Sequence, residues 1–123
     1  MNNISRVFDI TSSIVKISVQ DIIKKKHDVK CVDARRIASY VCIKGGVASL
    51  SETARFMKTY HTSLIFYINS IHLVDIDKLK KVFMTCQNFV NFDLRELERL
   101  KPTPVKHYET FKYWDLIFKN QSK

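Results

Sequence analysis

The segment Lys58-Thr59-Tyr60-His61-Thr62-Ser63-Leu64 gathers side chains that donate and accept hydrogen bonds at the expected start of a helix whose other face is apolar. Threonine and serine hydroxyls donate or accept, the threonine methyl can touch a thymine methyl, and an imidazole can meet a purine acceptor. Backbone N–H groups at a helix start suit a phosphate, and Lys58 adds a cation beside them. Residues of these types in this order suit contact with something anionic and patterned. The competing account is that Thr59 caps the helix and His61 is an ordinary surface residue.

A second basic segment lies upstream. Residues 24–36 hold six cations (Lys24, Lys25, Lys26, Lys30, Arg35, Arg36) against two anions, Asp28 and Asp33. Charge runs are usually solvated loops. This one sits between two amphipathic segments rather than in a tail. Arg35 and Arg36 also follow an expected helix start at Asp33, where a cation opposes the helix dipole. A phosphate partner accounts for that placement, because backbone contacts require only cations and position a protein without reading sequence.

The elements that must hold these groups are all helical. Val7, Ile10, Ile14 and Ile17 recur at helical spacing and predict a first helix over about residues 4–16. Ser18 caps a short second helix with Val19, Ile22 and Ile23 inward, running out into Lys24-Lys25-Lys26. Asp33 opens a third, with Ile37, Tyr40 and Val41 as its inner face and Ala34 and Ala38 permitting close approach. Gly45-Gly46 ends it in a left-handed cap. Ser49-Leu50-Ser51-Glu52 is a capping-box pattern, and a helix over 50–57 follows with Leu50, Ala54 and Met57 or Phe56 inward. After the turn, a helix over 61–72 carries Leu64, Ile68 and Ile71 inward. Asp75 or Asp77 begins another, with Ile76, Leu79, Phe83 and Cys86 as its face, and Asp93 caps a further turn or two with Leu94, Leu97 and Leu100. Two helices of this size joined by a short turn match a helix-turn-helix, whose second helix lies in the major groove with its N-terminal residues at base edges.

Composition narrows the function classes. The 123 residues fit one domain with an extension, and 46% of them are apolar, enough for a packed core. Two glycines and two prolines argue against a turn-rich β-sandwich. The net charge of +9 favours encounter with polyanions such as nucleic acid. No apolar run approaches the roughly 20 residues of a membrane span, and Met1-Asn2-Asn3 leads into a mixed segment unlike a signal peptide. A cytoplasmic, nucleoid-associated location without membrane contact is expected. Cys31, Cys42 and Cys86, with four scattered histidines, form no zinc pattern and are expected to be reduced structural thiols. No carboxylate pair, metal cluster or nucleophile elbow is visible, so neither an enzyme nor a cofactor is expected.

The stretch from about Ile10 to Ile71 resembles the C-terminal DNA-binding domain of the bacterial replication initiator DnaA, a relative of the Trp-repressor helix-turn-helix group. Val19-Gln20-Asp21-Ile22-Ile23-Lys24-Lys25-Lys26 resembles that family's short helix running into a basic loop. Arg35-Arg36-Ile37-Ala38-Ser39-Tyr40 resembles its Arg-Gln pair and the run after it. Ser49-Leu50-Ser51-Glu52-Thr53-Ala54-Arg55-Phe56 stands where the family has Ser-Leu-x-Glu-Ile-Gly before a Phe, and Tyr60-His61-Thr62-Ser63-Leu64-Ile65 where it has Asp-His-Thr-Thr. The resemblance implies that His61, Thr62 and Ser63 face bases in the major groove. It also implies that Arg35 and the basic loop meet the backbone, with the minor groove near His27. The departures are specific. Tyr60 replaces the Asp, Arg36 the Gln, Asp33-Ala34 an Arg-Pro, and Met57-Lys58-Thr59 a Gly-Gly-Arg turn that is about one residue longer. The family's origin-box preference is therefore not carried over. No Gly-x-x-x-x-Gly-Lys-Ser/Thr occurs in this sequence, so the resemblance does not include an ATPase module.

The fold expected is all-α, a helix-turn-helix bundle of about five helices over residues 1–73 with a helical extension over 74–123. Pro102-Thr103-Pro104 interrupts the extension. Beyond it His107, Phe111, Trp114 and Phe118 align on one face of a last helix, packing on the core or forming a homodimer or protein-partner contact. Double-stranded DNA is the expected partner. Its expected contact set comprises Lys25, Lys26, His27, Lys30, Arg35, Arg36, Ser51, Lys58, Thr59, Tyr60, His61, Thr62 and Ser63, and the expected function is regulation of transcription or replication. The alternative is a protein-interaction adaptor on the same scaffold that no longer reads bases.

Overall fold

The computed structural model describes residues 3–24 and 28–100. These form six α-helices and two 3-10 segments, with no strand among the described residues. The helices are α1 (Asn3–Val15), α2 (Val19–Ile23), α3 (Val29–Lys44), α4 (Leu50–Met57), α5 (His61–Asn69) and α6 (Ile76–Thr85); the 3-10 segments are Ile71–Leu73 and Leu94–Leu100. The all-α class expected from the periodicities is the class found. Lys25, Lys26 and His27, and the aromatic segment beyond Pro102, lie outside the described residues.

The caps are where local chemistry placed them. Ser18 accepts from the Asp21 amide at 3.1 Å and starts α2. Ser49 and Glu52 form a reciprocal capping box at the head of α4, which holds the Glu52 carboxyl below its usual range. Asp75 starts α6 by accepting from the Asp77 amide at 3.0 Å. One start differs from expectation. The side chain that caps α3 is Asp28, accepting from the Lys30 amide at 3.0 Å, not Asp33. The helix is therefore a turn longer, and Arg35 and Arg36 lie in its second turn and beyond, where the helix dipole exerts little force on a charge.

Helix α3 is the axis of the bundle and packs against α1, α2, α4, α5 and α6. Residues 34 to 42 are all buried, so the helix is enclosed on every side in its middle rather than on the single face of Ile37, Tyr40 and Val41. Ala34 and Ala38 permit the close approach that this enclosure requires. Its C-terminus divides the work between two glycines. Gly46 takes the left-handed conformation, with φ +69°. Gly45 keeps a negative φ but has no room for a side chain, since a Cβ there would meet the Val41 carbonyl oxygen and lie 2.7 Å from Val90 Cγ1. The Gly45 carbonyl accepts from the Asn91 amide at 2.9 Å, tying the end of α3 to the segment after α6.

The inner stripe of α1 is Ile4, Val7, Phe8 and Thr11, with Ile10 and Ile14 half-buried on its flank. Thr11 enters the core because its hydroxyl donates to the Val7 carbonyl at 2.8 Å. Leu64, Ile71, Leu79, Phe83, Cys86 and Leu97 belong to the same continuous core, so residues 74–100 pack on the first five helices. Phe83 and Phe92 stack with ring centroids 4.2 Å apart, and Tyr40 meets both edge-on. Cys31, Cys42 and Cys86 are buried free thiols. Burial pushes the Cys42 thiol up to about 12, with neighbouring Cys86 adding to the shift. The described residues contain no helix long and apolar enough to cross a membrane, and no group of three or more His, Cys, Asp or Glu side chains able to hold a metal ion.

Candidate nucleic-acid interface

Helices α4 and α5 are joined by a tight turn made of Lys58, Thr59 and Tyr60. Lys58 adopts the left-handed conformation, φ 53° and ψ 46°, and its amide bonds back to the Ala54 and Arg55 carbonyls. The Thr59 amide reaches the Ala54 carbonyl at 3.0 Å. This pattern closes α4 in the manner of a Schellman motif, where glycine is usual. A lysine in this conformation costs roughly 1–2 kcal/mol, offset by the bonds that close the turn and by the burial of Met57 just before it.

The next helix starts without a side-chain cap. Tyr60, not Thr59, occupies the cap position, its backbone is extended, and its side chain makes no cap hydrogen bond. The first N–H groups of α5 therefore lack the side-chain oxygen that those of α3, α4 and α6 receive. Along α5 only Leu64 is fully buried. His61, Thr62, Ile65, Phe66 and Asn69 are all exposed. At about 100° per residue these five fall within one outward arc. The local sequence is one-sided in charge as well: residues 53–74 include Arg55 and Lys58 and not one carboxylate.

An open groove of about 580 Å³ runs between the start of α5 and the middle of α3, lined by Val32, Arg35, Thr59, Tyr60, Thr62, Ser63, Phe66 and Tyr67. It brings together five of the residues singled out from sequence: Arg35, Thr59, Tyr60, Thr62 and Ser63. His61 and Lys58 are exposed beside it. Ser51 is exposed on the first turn of α4. Lys30 stands apart, in a separate depression of about 340 Å³ with Lys16 and Lys78 on the other side of α3.

The two arginines of α3 have protein partners. Arg35, 4% exposed, donates from Nε to the Ile22 carbonyl at 2.6 Å. That carbonyl belongs to the last turn of α2, whose acceptors lack intrahelical donors, so the guanidinium closes the α2 C-terminus. Arg36, 9% exposed, donates from Nη1 to Asp33 at 2.7 Å and from Nε to the Ser70 hydroxyl at 2.9 Å. Ser70 in turn donates to the Phe66 carbonyl at 2.7 Å, and the Arg36 guanidinium lies 5.7 Å from the Phe66 ring centroid. The side chains that looked most like phosphate ligands thus join α2, α3 and α5 together, and Arg35 also walls the groove.

Sequence reasoning missed Val32, Phe66 and Tyr67 in the groove, and Ile65 and Arg55 on the exposed surface. A signal existed for the apolar ones. Leu64-Ile65-Phe66-Tyr67-Ile68 places apolar side chains on every side of α5, whereas a helix with one buried face needs only a stripe.

Against known proteins, the chain is 34% identical over 67 residues to the chromosomal replication initiator protein DnaA of Aquifex aeolicus (strain VF5). The matched segment is 54% of this chain and 17% of that protein. The chain therefore spans a small part of the length of this relative. No family model matches the sequence, and no solved structure matches the fold.

Proposed function

We propose that this protein binds duplex DNA, with α4 and α5 working as a helix-turn-helix that carries α5 into the major groove. The observation that carries this reading is the start of α5: an uncapped helix N-terminus presenting exposed His61 and Thr62, beside Lys58, in a stretch (residues 53–74) that contains no carboxylate. His61, Thr62 and Ser63 contact base edges. Lys58 and the N–H groups of the first turn meet phosphates. Ser51, Thr59 and Tyr60 border the same contact, and Arg35 meets DNA only through the groove it lines. Lys25, Lys26 and His27 supply backbone attraction, and Lys30, on the other side of α3, adds only to the overall positive field. Arg36 holds α5 in place and makes no direct contact.

The likeness to part of a replication initiator supports this reading, and regulation of replication or transcription in the cytoplasm, at the nucleoid, is the role that follows from it. Tyr60 stands where that family has an acidic residue, so the base preference is this protein's own. The exposed Tyr60, Ile65 and Phe66 also fit a second reading, an adaptor that meets another protein on the same surface.

Selection of bound duplexes from a random pool, followed by salt titration of the winners, separates the two. DNA reading predicts an enriched site and an affinity that falls linearly in log–log with salt, about 0.9 in slope for each phosphate contacted. His61→Ala and Thr62→Ala should each flatten the preference by about 1–3 kcal/mol per affected base pair. They should leave stability within about 0.5 kcal/mol of the parent. No duplex binding at low salt, with a protein partner co-purifying, favours the adaptor.

A further inference from the structure

We infer that Ile65 and Phe66 are specificity-determining residues that read thymine 5-methyl groups, so that the preferred site carries thymines beside the bases met by His61 and Thr62. The inference rests on the duplex-binding function proposed above.

Ile65 is 45% exposed and Phe66 55%, and they follow His61 and Thr62 one turn along the same outward arc of α5. Four residues advance about 6 Å, a little under two base-pair steps of about 3.4 Å. A helix lying in the major groove by its N-terminal end carries this second pair to neighbouring base pairs. The edges exposed there are hydrogen-bonding groups with one apolar exception, the thymine methyl. An isoleucine and a phenylalanine have no hydrogen bond to offer, so the methyl is the feature they can recognise. Cytosine carries only a hydrogen at C5 where thymine carries the methyl, so the same side chains lose their apolar contact there, and that loss supplies discrimination.

Phe66 is backed by fixed structure. The Arg36 guanidinium beside its ring is held by Asp33 and by Ser70, and Ser70 also binds the Phe66 carbonyl. Anchoring of this kind lowers the ordering cost of presenting an aromatic ring to a ligand. Arg55 and Lys58 are exposed, residues 53–74 carry no carboxylate, and the nearby Asp33 carboxylate is neutralised by Arg36, a balance of charge that suits a polyanion.

The test substitutes deoxyuridine for thymine, one position at a time, in duplexes selected by the full chain. This removes the methyl and leaves base pairing unchanged. The intact protein should lose about fourfold in affinity at each contacted methyl. Ile65→Ala and Phe66→Ala, checked for unchanged melting, should bind thymine and deoxyuridine duplexes equally at the position each reads. Replacing cytosine by 5-methylcytosine at a disfavoured position should recover part of the affinity for the intact protein alone. Equal binding of thymine and deoxyuridine duplexes by the intact protein at every position overturns the inference and leaves duplex binding standing. Failure to bind any duplex removes both.

Discussion

Helix α3 and helix α5 carry the polar residues that chemistry singled out, and they use them in opposite ways. On α3, Arg35 and Arg36 are sealed among helices, and each has a protein acceptor. On α5, His61 and Thr62 stand in solvent at an uncapped helix start. The permanently charged pair is structural, and the weaker hydrogen-bonding groups face outward. A guanidinium brings five donors in a planar fork, so it can close a neighbouring helix and bridge two others where a hydroxyl could not. The lesson is that the strength of a charge in the sequence is a poor guide to which side of the molecule it serves. What counts is whether the packing leaves carbonyls and carboxylates for it to satisfy.

The sharpest way to break this contrast is to remove Arg36. Arg36→Ala leaves Asp33 and Ser70 without their donor and Phe66 without its backing. We expect a loss of about 3 kcal/mol in unfolding free energy, read by urea titration. If the loss were under about 0.5 kcal/mol, the range of an ordinary surface change, Arg36 would belong with the exposed group instead.

Lys58 offers an intermediate effect that cuts both ways. Lys58→Gly relieves the left-handed backbone and should raise stability by about 1 kcal/mol. In the same variant the salt dependence of duplex affinity should fall by about 0.9 in log–log slope, the share of one phosphate contact. A gain in stability with an unchanged slope would place Lys58 outside the DNA contact.

An effect confined to alkaline pH comes from the buried thiols of the core. Burial pushes Cys42 up to about 12 and Cys86 up to about 11, the latter partly countered by Arg6. An unfolded thiol ionises near its ordinary value of 9.0. Above that pH the unfolded chain releases protons that the folded chain retains, so stability is intact below pH 9 and declines as pH rises towards the folded values. The decline should amount to about 1 kcal/mol per thiol by pH 10. It should appear as a falling melting temperature, with a shallower slope in Cys42→Ala.

How much of this was legible beforehand depends on the range of the interaction. Ser18, Ser49-Glu52, Asp75 and Asp93 were readable as helix starts because a cap is made with an amide two or three residues away. The inward faces of α4, α5 and α6 followed from spacing for the same reason. The true start of α3 was missed because Asp28 and Asp33 are equally good caps locally, and Asp33 is drawn instead to Arg36. Exposure of Ile65 and Phe66 was missed because an apolar run does not state which of its sides the fold will cover.

The sequence by itself determined the helical class, the caps of α2, α4 and α6, the turn between α4 and α5, and the polar set at Lys58 to Ser63, all governed by contacts within about one helical turn. Only the tertiary structure decided that Arg35 and Arg36 turn inward, that α3 is enclosed on all sides, and that the face of α5 carrying His61, Thr62, Ile65 and Phe66 is the one left exposed. Those outcomes depend on partners far along the chain, such as Ser70 for Arg36 and Ile22 for Arg35. A long side chain with many donors goes where acceptors are left unmatched, and that is known only once the helices have packed.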